Sequence, residues 1–304
     1  MLGNFRSLGW EPLSHDDYGR CWHRHGGSVI SHPAVLAFIE SRFDCNPARW
    51  GRRNRKGELI GAIATWGNFL AGDKSAMLRL GLDDRHDFGS PELILPLSPE
   101  FHGPILYRGK FVSPVNAPLI LNATTKGNGR SLCFAKPLEG EGSLSGRTRQ
   151  RRRSQTRHLC QHGGQIRNID TFTPRELADL YAVLFEKRWQ RPMPTLDGLH
   201  EYFDSLAPYM TGHVILIDGA PAAYQLLLAT RSSRFLSVEY INGGVDPAHG
   251  ELSPGTVLTW LNVESCWNAA KEAGLALRYS FGRNSFDYKA QWAHEAFVSR
   301  TVTF

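Results

Sequence analysis

"VDPAHGELSPGTVLTWLNVESCWNAAKEAG" (residues 245–274) passes from loop to helix through Ser253-Pro254-Gly255-Thr256. A serine at such a junction caps the first helical amides, and a proline at the first helical position gives up an N–H that has no intrahelical partner. A glycine lets a ligand approach the backbone closely, and the threonine adds a hydroxyl. The start of a helix carries unpaired N–H groups and partial positive charge, so an anion is at home there. The spacing therefore predicts an anion seat over Leu252, Ser253, Gly255 and Thr256. Val257, Leu258, Leu261 and Cys266 hold the helix behind it on a sheet. The plainer reading, a well-capped helix start with no ligand, stands beside it.

The flanks supply that sheet. "GHVILIDGAPAAYQLLLATRSSRFLSVEYINGG" (212–244) reads as three strands with turns at Asp218-Gly219 and at 231–234. "LALRYSFG" (275–282) and "FVSRTVTF" (297–304) read as two more. Upstream, "TPRELADLYAVLFEKRW" (173–189) is a periodic helix with Thr173 as cap, Pro174 in the first turn and Glu176 three after the cap. "LHEYFDSLAPYM" (199–210) is a second helix.

The first half echoes this order. "SHPAVLAFIESRF" (31–43) predicts a helix opened by Ser31 and Pro33, and "ARWGRRNRKGELIGAIATW" (48–66) a hairpin turning at Gly57. "PELILPLSP" (91–99) reads as a further strand. Each hairpin places a turn glycine (Gly57, Gly219) four residues before a tiny residue (Gly61, Ala223). The expected fold class is α/β (α+β): two related lobes, each a mixed, mostly antiparallel sheet flanked by helices. The expected boundaries are 1–136, a glycine-, serine- and arginine-rich connector over 137–157, and 158–304.

The 304 residues carry 35 Lys and Arg against 29 Asp and Glu, a net charge of +6 that suits an anionic partner. No apolar run is long enough to span a bilayer, and "MLGNFRSLGWEPLSHDDYGR" has no apolar core of a secretory signal. The five scattered cysteines form no Cys-x-x-Cys pair, so a reducing cytoplasm is the expected compartment. "CWHRHGGSVISH" (21–32) gathers Cys21, His23, His25 and His32 without a ligand spacing that zinc sites use, so no metal is expected. "RTRQRRRSQTRH" (147–158) holds six arginines and no acid. Arg149, Arg151, Arg152, Arg153 and Arg157 are candidates for binding anionic lipid or RNA phosphates, against the plain reading of a solvated helix face.

The order of three strands, glycine-bearing loop, helix and strand resembles the second half of the GCN5-related N-acetyltransferase (GNAT) fold. "DPAHGELSPGTVLTW" and "YSFGRNSFDYKAQW" (279–292) resemble its Fem-like branch, which carries tandem domains of this fold. With "PLSHDDYGRCWHRHGG" and "GHVILIDGAPAAYQL", the chain is similar along nearly its whole length to the macrophage-inducible antimicrobial-peptide resistance family of Gram-negative bacteria.

That resemblance implies an acyl- or aminoacyl-transferase at the inner face of the cytoplasmic membrane, modifying an envelope or lipid amine. The donor would be acyl-CoA or aminoacyl-tRNA, both phosphate-bearing. The usual diphosphate loop is richer in glycine than 250–255 and lacks an acid such as Glu251, so the donor stays open between the two. Chemistry at the splay between the third strand and the strand after the long helix would draw on Glu239 as base and Tyr288 as acid, with Tyr240, Asp287 and Lys289 beside them. Two other readings remain: a non-catalytic binding protein of the same fold, and a nucleic-acid-binding transcriptional regulator, although no helix-turn-helix pattern is present.

Overall fold

A computed structural model describes residues 9–82, 86–285 and 287–303. The first unit runs β1 (Trp10–Pro12), α1 (His15–His25), α2 (Pro33–Glu40), β2 (Pro47–Arg53), β3 (Leu59–Trp66), β4 (Phe69–Leu70) and a short α3 (Lys74–Arg79). Its four strands form one antiparallel sheet in the order β1-β2-β3-β4. The second unit repeats this sequence of elements: β7 (Gly164–Asn168), α5 (Pro174–Trp189), α6 (Leu199–Leu206), β8 (His213–Ile217), β9 (Ala220–Arg231) and β10 (Phe235–Val245). Those strands also lie in sequence order, edge to centre. The second unit then continues through the long α7 (Pro254–Glu272) to β11 (Ala276–Ser280), a return that the first unit lacks.

Beyond β11 the sheet is extended by β6 (Ser131–Ala135) and β12 (Ala293–Phe297), giving seven strands in the order β12-β6-β11-β10-β9-β8-β7. β5 (Ala123–Thr124) and β13 (Arg300–Thr301) form a separate pair. β6, which lies before the boundary expected at residue 136, joins the seven-stranded sheet. Most of the expected connector is helix: α4 (Gly146–Gln161) starts on Ser145, whose Oγ accepts from Thr148 N, and buries Arg152 and Leu159. The two units share their largest apolar cluster, with Trp10, Trp66 and Leu97 joined to Tyr181, Phe203 and Tyr224.

Local chemistry explains the element ends. Thr173 and Glu176 form the reciprocal capping box, with Glu176 N donating to Thr173 Oγ1 at 3.2 Å and Thr173 N to Glu176 Oε2 at 2.7 Å. Asp218 and Gly219 both take positive φ, as a two-residue hairpin turn requires. Helix α2 is capped by His32, whose Nδ1 accepts from Ala34 N at 3.2 Å. Ser31, the expected cap, is instead buried, and its Oγ donates to Ile94 O at 2.7 Å. Residues 92–98 are buried as a strand's would be, yet they make only single bridges, to Val112 and Gly61. Pro91 and Pro96 remove the donors that a continuous ladder needs.

Candidate active site

β10 decides where the site lies. It pairs with β9 over its whole length, but with β11 only from Phe235↔Ala276 to Glu239↔Ser280. There β11 leaves toward β6, pairing at Ser280↔Phe134. At the same point β10 is bulged against β9, between Tyr240 and Asn242. Past the parting a cleft of about 400 Å³ opens, floored by Tyr224 and Gln225 of β9 and by Tyr240 and Gly243 of β10. The start of α7, the turn before it, Arg188, Tyr288, Gln291 and Trp292 form its walls.

Helix α7 is held over this cleft by a buried polar relay. Gln225 Nε2 donates to Thr259 Oγ1 at 2.7 Å, and Thr259 Oγ1 donates to Gly255 O at 2.8 Å. Asn262 Nδ2 donates to Gln225 Oε1 at 2.9 Å, while Asn262 Oδ1 accepts from His213 N at 3.0 Å. The turn is held by Asp246, whose Oδ2 accepts from Lys187 Nζ at 2.5 Å and whose Oδ1 accepts from Ala248 N at 3.0 Å. The Lys187 bond, with Ala248, keeps the Asp246 carboxyl below its usual range although burial opposes it.

Ser253, Gly255 and Thr256 line the cleft as the junction's sequence suggests, but by different means. Ser253 is left-handed (φ 50°, ψ 48°), and its hydroxyl donates to Gly250 O at 3.4 Å instead of capping α7. Thr256 N donates to Ser253 O at 3.0 Å, and Pro254 has no amide to give. The bare face of Gly255 is turned toward β10: an added Cβ would lie 2.9 Å from Val245 Cγ2. Leu252 packs behind the turn, against the cluster of Leu159, Val257 and Leu258. Glu251 is exposed and does not line the cleft.

Tyr240 and Tyr288 face each other across the parting, with Arg188 between them. Arg188 Nη1 donates to Gly243 O at 2.7 Å and reaches Tyr240 Oη at 3.5 Å. Burial first, and then the neighbouring Tyr240, pushes the Tyr288 phenol up to about 12, against the pull of Arg188. Tyr224 is fully buried, lines the cleft floor, and has a hydroxyl with no hydrogen-bond partner among the described residues.

Two sequence-based assignments are corrected. Glu239 cannot serve the cleft, because it alternates with Tyr240 along β10 and faces the other way. It is buried, and its Oε1 accepts from Glu92 N at 2.8 Å. Glu92 is itself held by Arg278, through Nε at 3.1 Å and through Nη2, and by Ser113 Oγ. Burial, and then the Glu92 charge, raises the Glu239 pKa well above the usual carboxylate range. Lys289 is a structural cap: it is buried, and its Nζ donates to Phe281 O at 2.6 Å and to Arg283 O. The Asp287 side chain lies outside the described residues.

The arginine run is divided by its helix. Arg149 Nη1 donates to Leu138 O at 2.5 Å, and Arg153 pairs with Glu264 at 3.0 Å. Arg152 is buried over the Trp292 ring, 4.5 Å from its centre, and donates to Gln291 Oε1 at 3.0 Å, so it braces the cleft wall. Arg151 and Arg157 face outward with Arg147. Of the metal-like group, Cys21 Sγ donates to Pro96 O and His25 meets Leu59 O, while His23 and His32 stack with Trp22. Arg188, Asp246 and the Gln225–Thr259–Asn262 relay escape sequence reading, since each acts across more than thirty residues.

Residues 32–301 match the Mig-14 family. The chain belongs to that family. No curated protein matches it. Among solved structures this Mig-14 chain is similar to the crystal structure of FemX, at 10% identity and a TM-score of 0.58, covering 97% of both chains. A conserved protein of unknown function from Bacteroides thetaiotaomicron VPI-5482 overlays at 0.45, with 12% identity, over 97% of this chain and 100% of the other. A tandem GNAT protein from the clavulanic acid biosynthesis pathway overlays at 0.36, with 13% identity, over 96% and 97%. At such identities the FemX overlay establishes a shared fold, and the two looser ones establish nothing beyond it. Among the described residues no helix is long and apolar enough to cross a membrane.

Proposed function

We propose that this Mig-14 protein is an acyltransferase of Fem-like fold whose cleft joins an activated acyl group to an amine. The observation that carries the reading is the parting of β10 from β11 over a cleft where the start of α7, Tyr240, Tyr288 and Arg188 converge. The amine nitrogen attacks the acyl carbonyl, forming the C–N bond as the bond to the donor's oxygen or sulfur breaks. Tyr288, kept protonated by its raised pKa, supplies the leaving atom's proton as general acid. Asp246 is the one carboxylate among the described lining residues, and it is committed to Lys187. The attacking amine enters neutral, and the proton it sheds on forming the amide passes to solvent, from which the Tyr288 phenolate is reprotonated.

Of the two donors, aminoacyl-tRNA is the better supported. A diphosphate cradle needs several free consecutive amides. Here Pro254 has none, Thr256 N is bonded to Ser253 O, and Gly255 turns its bare face to Val245. That seat fits a single anionic oxygen beside the Thr256 hydroxyl, and the basic chain suits a nucleic-acid donor. The acceptor we propose is an envelope or lipid amine at the inner face of the cytoplasmic membrane, with tolerance of cationic antimicrobial peptides as the consequence. Titrating the protein with charged tRNA, uncharged tRNA and acetyl-CoA tests the donor. Charged tRNA should bind more tightly than uncharged, and saturable binding of acetyl-CoA alone would sink the donor assignment. Envelope lipids from cells with and without the gene, compared by mass, test the acceptor, and identical amine acylation would sink it.

A further inference from the structure

A second hollow, about 630 Å³ in volume, lies where the end of the first unit meets residues 108–110 and 300–303, and it shares no residue with the cleft. Arg79, Arg108, Lys110 and Arg300 line it, and no carboxylate does among the described residues. Among the described residues none of the four forms an ion pair. Arg300 is steadied by Nε donating to Lys126 O at 3.1 Å, and Arg79 lies over the Phe69 ring, 5.6 Å from its centre. Four unpaired cations sharing one hollow repel one another, so an anion entering it relieves that repulsion.

The hollow is also apolar at one lip. Leu78 lines it at 56% exposure, while Leu80, at the end of α3, is exposed but not part of the lining. They are two of only six large apolar side chains exposed among the described residues, and they sit within one turn of each other. Cations beside exposed leucines are the pattern of a surface that meets an anionic bilayer, with phosphates at the cations and leucines at the headgroup level. Nucleic acid fits less well: Phe69, the one aromatic ring in the lining among the described residues, has Arg79 over one face, which leaves less of it for a base to stack on.

We propose that this hollow is the protein's docking site for an anionic phospholipid surface, with Arg79, Arg108, Lys110 and Arg300 holding headgroup phosphates and Leu78 entering the interface. The assignment does not rest on the transferase reading. It places the contact away from the arginine run of α4.

The test is sedimentation of the full chain with phosphatidylcholine vesicles, with and without phosphatidylglycerol. Arg108→Glu with Lys110→Glu is compared with Arg147→Glu plus Arg151→Glu, an equal charge change on exposed α4 residues. Wild type should bind only the anionic vesicles. The Arg108/Lys110 variant should lose roughly thirtyfold or more in affinity, and the α4 variant less than about threefold. Leu78→Ser should weaken the binding that survives high salt, since its contribution is apolar. All variants should melt as wild type does, the changed side chains being exposed. Undiminished vesicle binding by the Arg108/Lys110 variant overturns the proposal. So does an equal loss in the α4 variant, which would reduce the effect to net charge. Loss of tRNA binding with vesicle binding retained would reassign the hollow to nucleic acid and overturn it as well.

Discussion

At the scale of a single residue, Tyr288 is the proposed general acid. Its phenol is held between Tyr240 and Arg188 in a half-buried wall, and burial lifts it to about 12. An acid of that strength stays protonated through neutral pH, so transfer should show no basic limb until pH approaches 12. Tyr288→Phe keeps the ring and removes the proton. Release of uncharged tRNA in single turnover should slow by about a hundredfold, with donor affinity changed by less than about threefold. If the rate holds, Tyr288 is only a wall. The residue type and its neighbourhood were legible in "YSFGRNSFDYKAQW". Its partner Arg188 was not, because nothing local marks the arginine near the end of α5 that bonds Gly243, 55 positions on.

At the scale of the element, α7 and its turn line the cleft by means that the motif alone does not show. Ser-Pro-Gly-Thr does open the helix on the cleft, as its composition implies. A glycine there first suggests an open approach for ligand, and so a Gly255→Glu change that spares the fold. Against the folded chain that expectation fails, because the missing side chain makes room for Val245. Gly255→Ala should therefore destabilise by about 1–2 kcal/mol in denaturant unfolding, and adding Val245→Ala should recover part of it. Gly250 is the position with open space, since an added Cβ meets nothing within 4 Å. Gly250→Glu should leave the melt unchanged and weaken tRNA binding by about tenfold, by placing bulk and negative charge at the rim. Equal melts for the 250 and 255 variants would contradict this account of the turn.

At the scale of the molecule, the two units meet through buried charge as well as through apolar surface. Glu92 comes from the segment after the first sheet, and Glu239 and Arg278 come from β10 and β11. One guanidinium faces two carboxyls, so Glu239 keeps its proton in the folded chain. A folded pKa raised above the ordinary 4.5 means that the unfolded chain loses this proton first as pH rises. The stability it contributes is thus whole below 4.5 and declines as pH climbs toward the folded value. Glu239→Gln is neutral throughout and keeps the acceptor for Glu92 N. Its stability should match wild type near pH 4.5 and exceed it at alkaline pH, measured by denaturant unfolding at each pH. Parallel curves for the two proteins would mean that Glu239 is ionised when folded.

The sequence by itself determined the elements and their repetition. Helix caps, turn glycines and apolar periodicity are local, so Thr173, Gly57, Asp218-Gly219 and the 254–272 helix are written in a few adjacent residues each. Two similar orders of helix and strand followed from them. Only the tertiary structure decided which way each side chain faces and which strand sits beside which. β6 enters the far sheet from a stretch that reads as belonging to the first unit. Glu239 and Tyr240 are neighbours with opposite fates, one sealed against Glu92 and the other open to the cleft. The arginine run reads as one patch, yet helical geometry sends Arg152 inward to Trp292 and Arg151 out to solvent. The physical reason is common to all three: burial and strand order are set by contacts between residues far apart in the chain, and local composition does not encode them.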